Sequence, residues 1–337
     1  MILLFIITFA IAFALIQWLI KNAERFGLQD IPNQRSAHKK VTPRSAGLGF
    51  VGAILIVLTL FEPSHVMHYY YVYISLLFIM FVGAYDDKYN ISHRLKFVGL
   101  ILIACFVSYH GLLIESLGDY FGYKFILPVA ISVIFTAFAI VGFTNALNLM
   151  DGLDGLAGGL SLIMLVFYFT IGYIHHDALM INLSFATIAA LLAFLYFNWN
   201  PAKIFMGDSG SLSLGFIISV LSVESLHYIA PAAVLFIIAM PLMDTFIVMR
   251  RRIQRGQSPF KADKNHIHHF LYKVKVHVKF SVILLLSLQL ALSIIGFQLK
   301  NANEVLSLLL FGLLFFIFLN MFDQRYRYRG PKKSQKK

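Results

Sequence analysis

The polar chemistry of this 337-residue sequence is concentrated in four short segments that interrupt long apolar runs. Asp86 and Asp87 are adjacent in GAYDDKYNISHRLKF. Asn145, Asn148, Asp151 and Asp154 share NALNLMDGLDGLAGG, and Asp208 lies in FNWNPAKIFMGDSGSLSLG. The five aspartates offer the oxygen ligands that Mg²⁺ takes, usually one or two carboxylates completed by substrate phosphates and water. Gly152, Gly155, Gly207 and Gly210 let backbone approach a ligand closely, and a helix opening after Gly210 would present free N–H groups to an anion. A divalent cation beside amide donors suits phosphate chemistry. The fourth segment, RRRIQRGQSPFKADKNHIHHF, joins Arg250, Arg251, Arg252 and Arg255 to His266, His268 and His269. These residues fit a transition metal or an anionic substrate. The spacing H-x-H-H lacks the acidic partner of the HExxH zinc signature, and the positive flank opposes a cation, so phosphate binding is favoured.

Such groups are costly beside lipid, at roughly 2.5 to 3.5 kcal/mol for an Asp at the centre of a spanning helix. Metal and substrate binding would offset that cost. The surroundings are apolar: 59% hydrophobic residues and 13% charged, with mean hydropathy +0.77. A soluble domain would carry about 25% charge, so the composition excludes one and predicts an all-α polytopic membrane protein. Runs able to span fall at about 1–20, 45–62, 69–85, 97–113, 126–147, 156–174, 179–197, 210–228, 229–249, 280–299 and 304–322, eleven in all. No positive charge precedes the first run, and Lys21 and Arg25 follow it, so it reads as a span with its N-terminus outside.

The basic residues test this count, because Lys and Arg gather in short cytoplasmic loops. With the N-terminus outside, 26 of the 28 Lys and Arg fall inside; only Lys124 and Lys300 do not. All four polar segments then lie on the cytoplasmic face. The net charge of +12 reflects topology and anionic lipid headgroups, and no nucleic-acid partner is expected. The lone Cys105 excludes an internal disulfide and Cys-based metal sites. One polytopic domain is expected over 1–337, with a basic cytoplasmic tail at 323–337. A secondary transporter is the rival class, but its carboxylates would sit near the midplane of repeated halves, and no repeat is visible.

The motifs YDDKYNISHRLK, NALNLMDGLDGLAGG, PAKIFMGDSGSLSLG and PFKADKNHIHH, with DIPNQRSAHKKVTPR before them, resemble the polyprenyl-phosphate N-acetylhexosamine-1-phosphate transferases. They are similar above all to the branch that loads N-acetylglucosamine phosphate onto undecaprenyl phosphate. The resemblance implies a bacterial plasma-membrane enzyme with a cytoplasmic active site. Its partners would be a UDP-sugar, undecaprenyl phosphate and membrane lipids, with a homodimer left open. Its cofactor would be Mg²⁺, with Mn²⁺ able to substitute. By the same resemblance Asp208 is the main metal ligand, helped by Asn148 or Asp151. Asp86 and Asp87 position or deprotonate the lipid phosphate, with Asp151 also at the reacting centre and Lys96 on a phosphate. Asp154 and Phe205 hold the uracil, Asn145 belongs to the substrate site, and the histidines with Arg250 and Arg251 close over the nucleotide-sugar. Ala46 and Leu100 depart from residues common in the family, a glycine and a glutamine. Another UDP-sugar, including UDP-muramoyl-pentapeptide, is the alternative substrate.

Overall fold

The computed structural model describes residues 1–32, 41–254, 256–258 and 277–327, with side chains to residue 321. The described chain is helical: α1 Ile2–Phe26, α2 Ala46–Phe61, α3 Pro63–His68, α4 Tyr70–Tyr89, α5 His93–Tyr109, α6 Val129–Met150, α7 Leu156–His175, α8 Ala178–Asn198, α9 Gly207–Ser225, α10 Pro231–Ile237, α11 Ala239–Gln254, α12 Val278–Gln298 and α13 Glu304–Arg327. Two antiparallel ribbons interrupt it, β1 Gln29–Asp30 with β2 Thr42–Pro43, and β3 Ser116–Tyr120 with β4 Tyr123–Ile126.

Each of the eleven apolar runs coincides with one helix or, for 229–249, with the pair α10 and α11. Six helices are long and apolar enough to cross a membrane unaided, namely α1, α6, α7, α8, α12 and the first eighteen residues of α13, and the bent pair would make seven. Length and composition therefore do not establish eleven spans. The reason lies in the other four. With 16 residues, α2 reaches about 24 Å, short of a hydrocarbon core of about 30 Å. The 17-residue α5 is nearly as short. Asp86, Asp87 and Lys88 end α4, and α9 is dense in Ser and Gly.

The run 229–249, expected as one span, bends by 84° between α10 and α11. Proline explains where. Pro241 has no N–H to offer the carbonyl of Ile237 four residues back, and Gln289 of α12 takes it instead. Its Nε2 donates to the Ile237 carbonyl at 2.7 Å, and its Oε1 accepts from Met240 N at 3.0 Å. Gln289 is fully buried, so the break is satisfied inside protein, as non-helical backbone at membrane depth must be.

At the centre stands α9, packed by α2, α4, α6, α7 and α8 and buried at every residue from Ser209 to Val223. Three of its hydroxyls are used within the helix: Ser213, Ser219 and Ser222 each donate to the carbonyl four residues back at 2.7 Å. Glycine lets the neighbours close in. A Cβ on Gly83 of α4 would stand 2.5 Å from the Asp208 carbonyl oxygen, and one on Gly47 of α2 2.1 Å from the Gly210 nitrogen. The first turn of α9 is thereby fixed between two helices.

Candidate active site

Asp208 sits in that first turn. Lys96, near the start of α5, forms an ion pair with Asp208 and another with Asp86 at the end of α4. Asn148, near the end of α6, donates from Nδ2 to Asp208 Oδ1 at 3.0 Å and to Ser211 Oγ at 2.7 Å. Three helices thus meet α9 at one carboxylate, which joins Asp86, Lys96, Asn148 and Asp208 from segments far apart in the chain.

The two members of the acidic pair do different work. Asp86 Oδ1 accepts from Ile91 N at 2.8 Å, and its other oxygen faces Lys96. Asp87, only 3% exposed, is enclosed by donors. It accepts from Ser45 Oγ at 2.7 Å, Asp208 N at 2.8 Å, Ser209 N at 3.2 Å and Ser209 Oγ at 2.9 Å. It supplies from a neighbouring helix the acceptor that a capping side chain would give the free N–H groups of α9.

Beside these groups opens a cavity of about 540 Å³, lined by Asp87, Asp151, Asp154, Phe205 and Asp208 among the expected residues. Asn198 ties its two loops together: Oδ1 accepts from Gly155 N, and Nδ2 donates to the Ile204 carbonyl, both at 2.9 Å. Asp154 Oδ2 takes Asn200 Nδ2 at 2.8 Å and Ala202 N at 3.1 Å, and Phe205 N donates to the Pro43 carbonyl at 2.8 Å. Sequence reasoning missed Asp30, Thr42, Arg44, Asn198 and Asn200 as lining residues. Their signal was present, since the first three lie within the DIPNQRSAHKKVTPR segment and both asparagines in FNWNPAK.

Other expected residues stand apart from the cavity. Asn145 lies one turn before Asn148 on α6 and does not line it. Arg250 and Arg251 are near the end of α11, where Arg251 is buried, and neither lines it. His266, His268 and His269 fall outside the described residues.

Electrostatics favours a cation here. Burial, and then the charges of Asp208, Asp87 and Asp154, push the Asp151 carboxyl up to about 8, the mark of more negative charge than the site can hold alone. Among the described residues no three His, Cys, Asp or Glu side chains converge as a closed metal cage. The donor set instead suits Mg²⁺, which usually keeps water and takes one or two carboxylates with substrate phosphates. Asp208, with Asp86 or Asp151 nearby, could hold it in that manner.

A sequence profile of glycosyl transferase family 4 matches residues 69–226, from α4 through α9, and so includes Asp86, Asp87, Lys96, Asn148, Asp151, Asp154, Phe205 and Asp208 but not Asp30, Thr42, Arg44 or Ser45. The chain is 34% identical over 303 residues to a probable undecaprenyl-phosphate N-acetylglucosaminyl 1-phosphate transferase of Bacillus subtilis, covering 87% of this chain and 83% of the relative. It is 31% identical to undecaprenyl-phosphate alpha-N-acetylglucosaminyl 1-phosphate transferases of Yersinia pestis, over 94% of this chain and 89% of the relative, and of Escherichia coli K12, over 88% and 84%.

Proposed function

The chain belongs to glycosyl transferase family 4, a phospho-sugar transferase, and on that footing we propose that it moves N-acetylglucosamine 1-phosphate from UDP-N-acetylglucosamine to undecaprenyl phosphate. An oxygen of the lipid phosphate attacks the β-phosphorus of the nucleotide-sugar. The bond from that phosphorus to the bridging oxygen breaks, and UMP leaves with the electron pair. The observation that carries this reading is the meeting of Asp86, Lys96, Asn148 and Asp208 at the edge of an acidic cavity.

Mg²⁺, held by Asp208 with Asp86 or Asp151, would shield the phosphate charges and stabilise the departing UMP. Lys96 lies between two carboxylates and supplies a cationic contact for an incoming phosphate oxygen. Asn148 fixes the Asp208 carboxylate through its amide. Asp154 and Phe205 line the same cavity and offer a hydrogen-bond acceptor and a ring face for the base. The lipid phosphate is ionised at neutral pH, so orientation matters more than a strong base, and exclusion of water suppresses hydrolysis. The division of basic residues supports a multi-pass protein with these loops on the cytoplasmic side, the bacterial relatives favour the plasma membrane, and the whole chain is taken as one domain.

Purified protein, undecaprenyl phosphate and a panel of UDP-sugars test the reading by thin-layer analysis of labelled lipid products. A lipid-linked product from UDP-N-acetylglucosamine, dependent on Mg²⁺, is expected. Product only from another UDP-sugar would reassign the donor, and none from any would refute the transfer.

A further inference from the structure

The cavity contains one basic residue that the chemistry above leaves unused. Asp30, Asp87, Asp151, Asp154 and Asp208 line it, and Arg44 is the only Lys or Arg among its described lining residues. Arg44 Nε is buried and makes no hydrogen bond, despite the carboxylates that share the cavity. A buried donor without a partner is costly and is rare in folded proteins. It calls for an acceptor that arrives from outside.

The backbone holds Arg44 in place. Arg44 N donates to the Leu28 carbonyl at 3.0 Å. On one side the Pro43 carbonyl accepts from Phe205 N at 2.8 Å; on the other, Ala46 N donates to the Phe205 carbonyl and Gly47 N to the Met206 carbonyl, both at 3.2 Å. Ser45, whose φ is +72°, turns the chain so that its hydroxyl reaches Asp87 at 2.7 Å. Residues 43–47 therefore run beside Phe205 and Met206, and Arg44 shares a wall with the ring expected to face the base. Asp208, on the same cavity, pairs with Lys96, which does not itself line it.

We propose that Arg44 is a phosphate-binding residue, its guanidinium gripping a phosphate group of the substrates bound in the cavity it lines. A guanidinium suits that task because its planar fork matches phosphate oxygens two at a time. Its place beside Phe205 points first to the phosphates of the nucleotide; the lipid phosphate carries the same chemistry. The proposal rests on the nucleotide-sugar reading above.

Full-length wild type, Arg44→Ala and Arg44→Lys, purified in detergent with Mg²⁺, would be titrated with uridine and with UDP, and KM for undecaprenyl phosphate measured beside them. The expected result is UDP binding at least ten-fold weaker in Arg44→Ala with uridine binding unchanged. Arg44→Lys should be intermediate, since an ammonium keeps the charge without the fork, and it preserves the measurement if the alanine variant does not purify. Unchanged UDP binding with a ten-fold higher KM for the lipid would uphold the phosphate contact and assign it to the acceptor. Uridine and UDP weakened equally, or neither UDP binding nor the lipid KM altered, would overturn the proposal. Wild type that binds UDP while Arg44→Ala alters neither UDP binding nor the lipid KM refutes only the role of Arg44; wild type that binds no UDP would refute the transfer reading and this one with it.

Discussion

Replacing Asp87 by Asn separates two roles that the adjacent acids could share. The carboxylate receives four hydrogen bonds, three on Oδ2 and one, from Asp208 N, on Oδ1. An Asn that keeps its carbonyl at the Oδ2 position leaves its NH₂ group facing the Asp208 N–H, donor against donor. One bond to a charged acceptor, about 1.5–3 kcal/mol, is lost outright, and the others weaken to the neutral range of about 1 kcal/mol each. Relief of repulsion from Asp208 and of the cost of burying a charge returns part of this. A net loss of about 2–4 kcal/mol remains, which for a chain of this size should lower the unfolding midpoint by roughly 3–6 °C. The damage falls on the first turn of α9, where Asp208 sits, so Mg²⁺ should also be needed at higher concentration. Thermal unfolding followed by intrinsic fluorescence, with turnover measured across Mg²⁺ concentrations, reads both effects. Ser45→Ala, which removes one of the four donors, should move both in the same direction by less. An Asp87→Asn protein with the wild-type midpoint and wild-type Mg²⁺ response but no turnover would refute a positioning role and put Asp87 in the chemistry.

Two further outcomes follow from the same geometry. Asp151 has a folded-state pKa of about 8 against about 3.9 unfolded, so the cation-free protein favours the bound proton and loses stability as pH rises between those values. Mg²⁺ bound as proposed would compete with that proton. Its stabilisation of the unfolding midpoint should therefore grow from pH 6 to pH 8, level off above, and largely vanish in Asp208→Asn; a Mg²⁺ effect independent of pH would contradict the linkage. In delipidated enzyme, labelled UMP should not exchange into UDP-N-acetylglucosamine, and exchange as fast as turnover and lost in Asp86→Asn would make Asp86 a covalent nucleophile.

What could be read from sequence depended on how local its cause was. The helices were legible because each apolar run exceeds what any loop would carry, and the aspartates because a carboxylate in such a run demands a reason. The bend at Ile238 was not. Pro241 was visible, but a proline in a helix can be absorbed in several ways, and only Gln289, 48 residues on in the chain, shows which carbonyl was freed. The β3–β4 hairpin escaped because its turn places Phe121 at φ +56° before Gly122 at φ +83°, and a phenylalanine there gives no turn signal. In the site, Asp86 and Asp208 stood out by type. Arg44 did not, because one basic residue among six in a basic first loop looks like topology. Its placement depends on backbone pairing with residues 205 and 206, more than 150 positions away.

The hydrogen bonding of the acids also bears on the route of transfer. A nucleophilic carboxylate needs an oxygen with an uncommitted lone pair aimed at the phosphorus. Asp87 is enclosed by four donors. Asp86 has one oxygen on Ile91 N and the other on Lys96, and Asp208 is divided between Asn148 and Lys96. Each has its oxygens engaged by donors and is made a weaker nucleophile by the contacts that hold it. An acyl phosphate on Asp86 would consume the carboxylate that pairs with Lys96 and leave a hydrolysable mixed anhydride in a cavity that admits a water-soluble substrate. The lipid phosphate faces no such cost: it enters already charged, and pairing with Lys96 needs only that the lysine exchange one oxygen anion for another. The arrangement therefore favours direct displacement, with the carboxylates as a fixed negative frame for a cation and the attacking oxygen brought by the lipid.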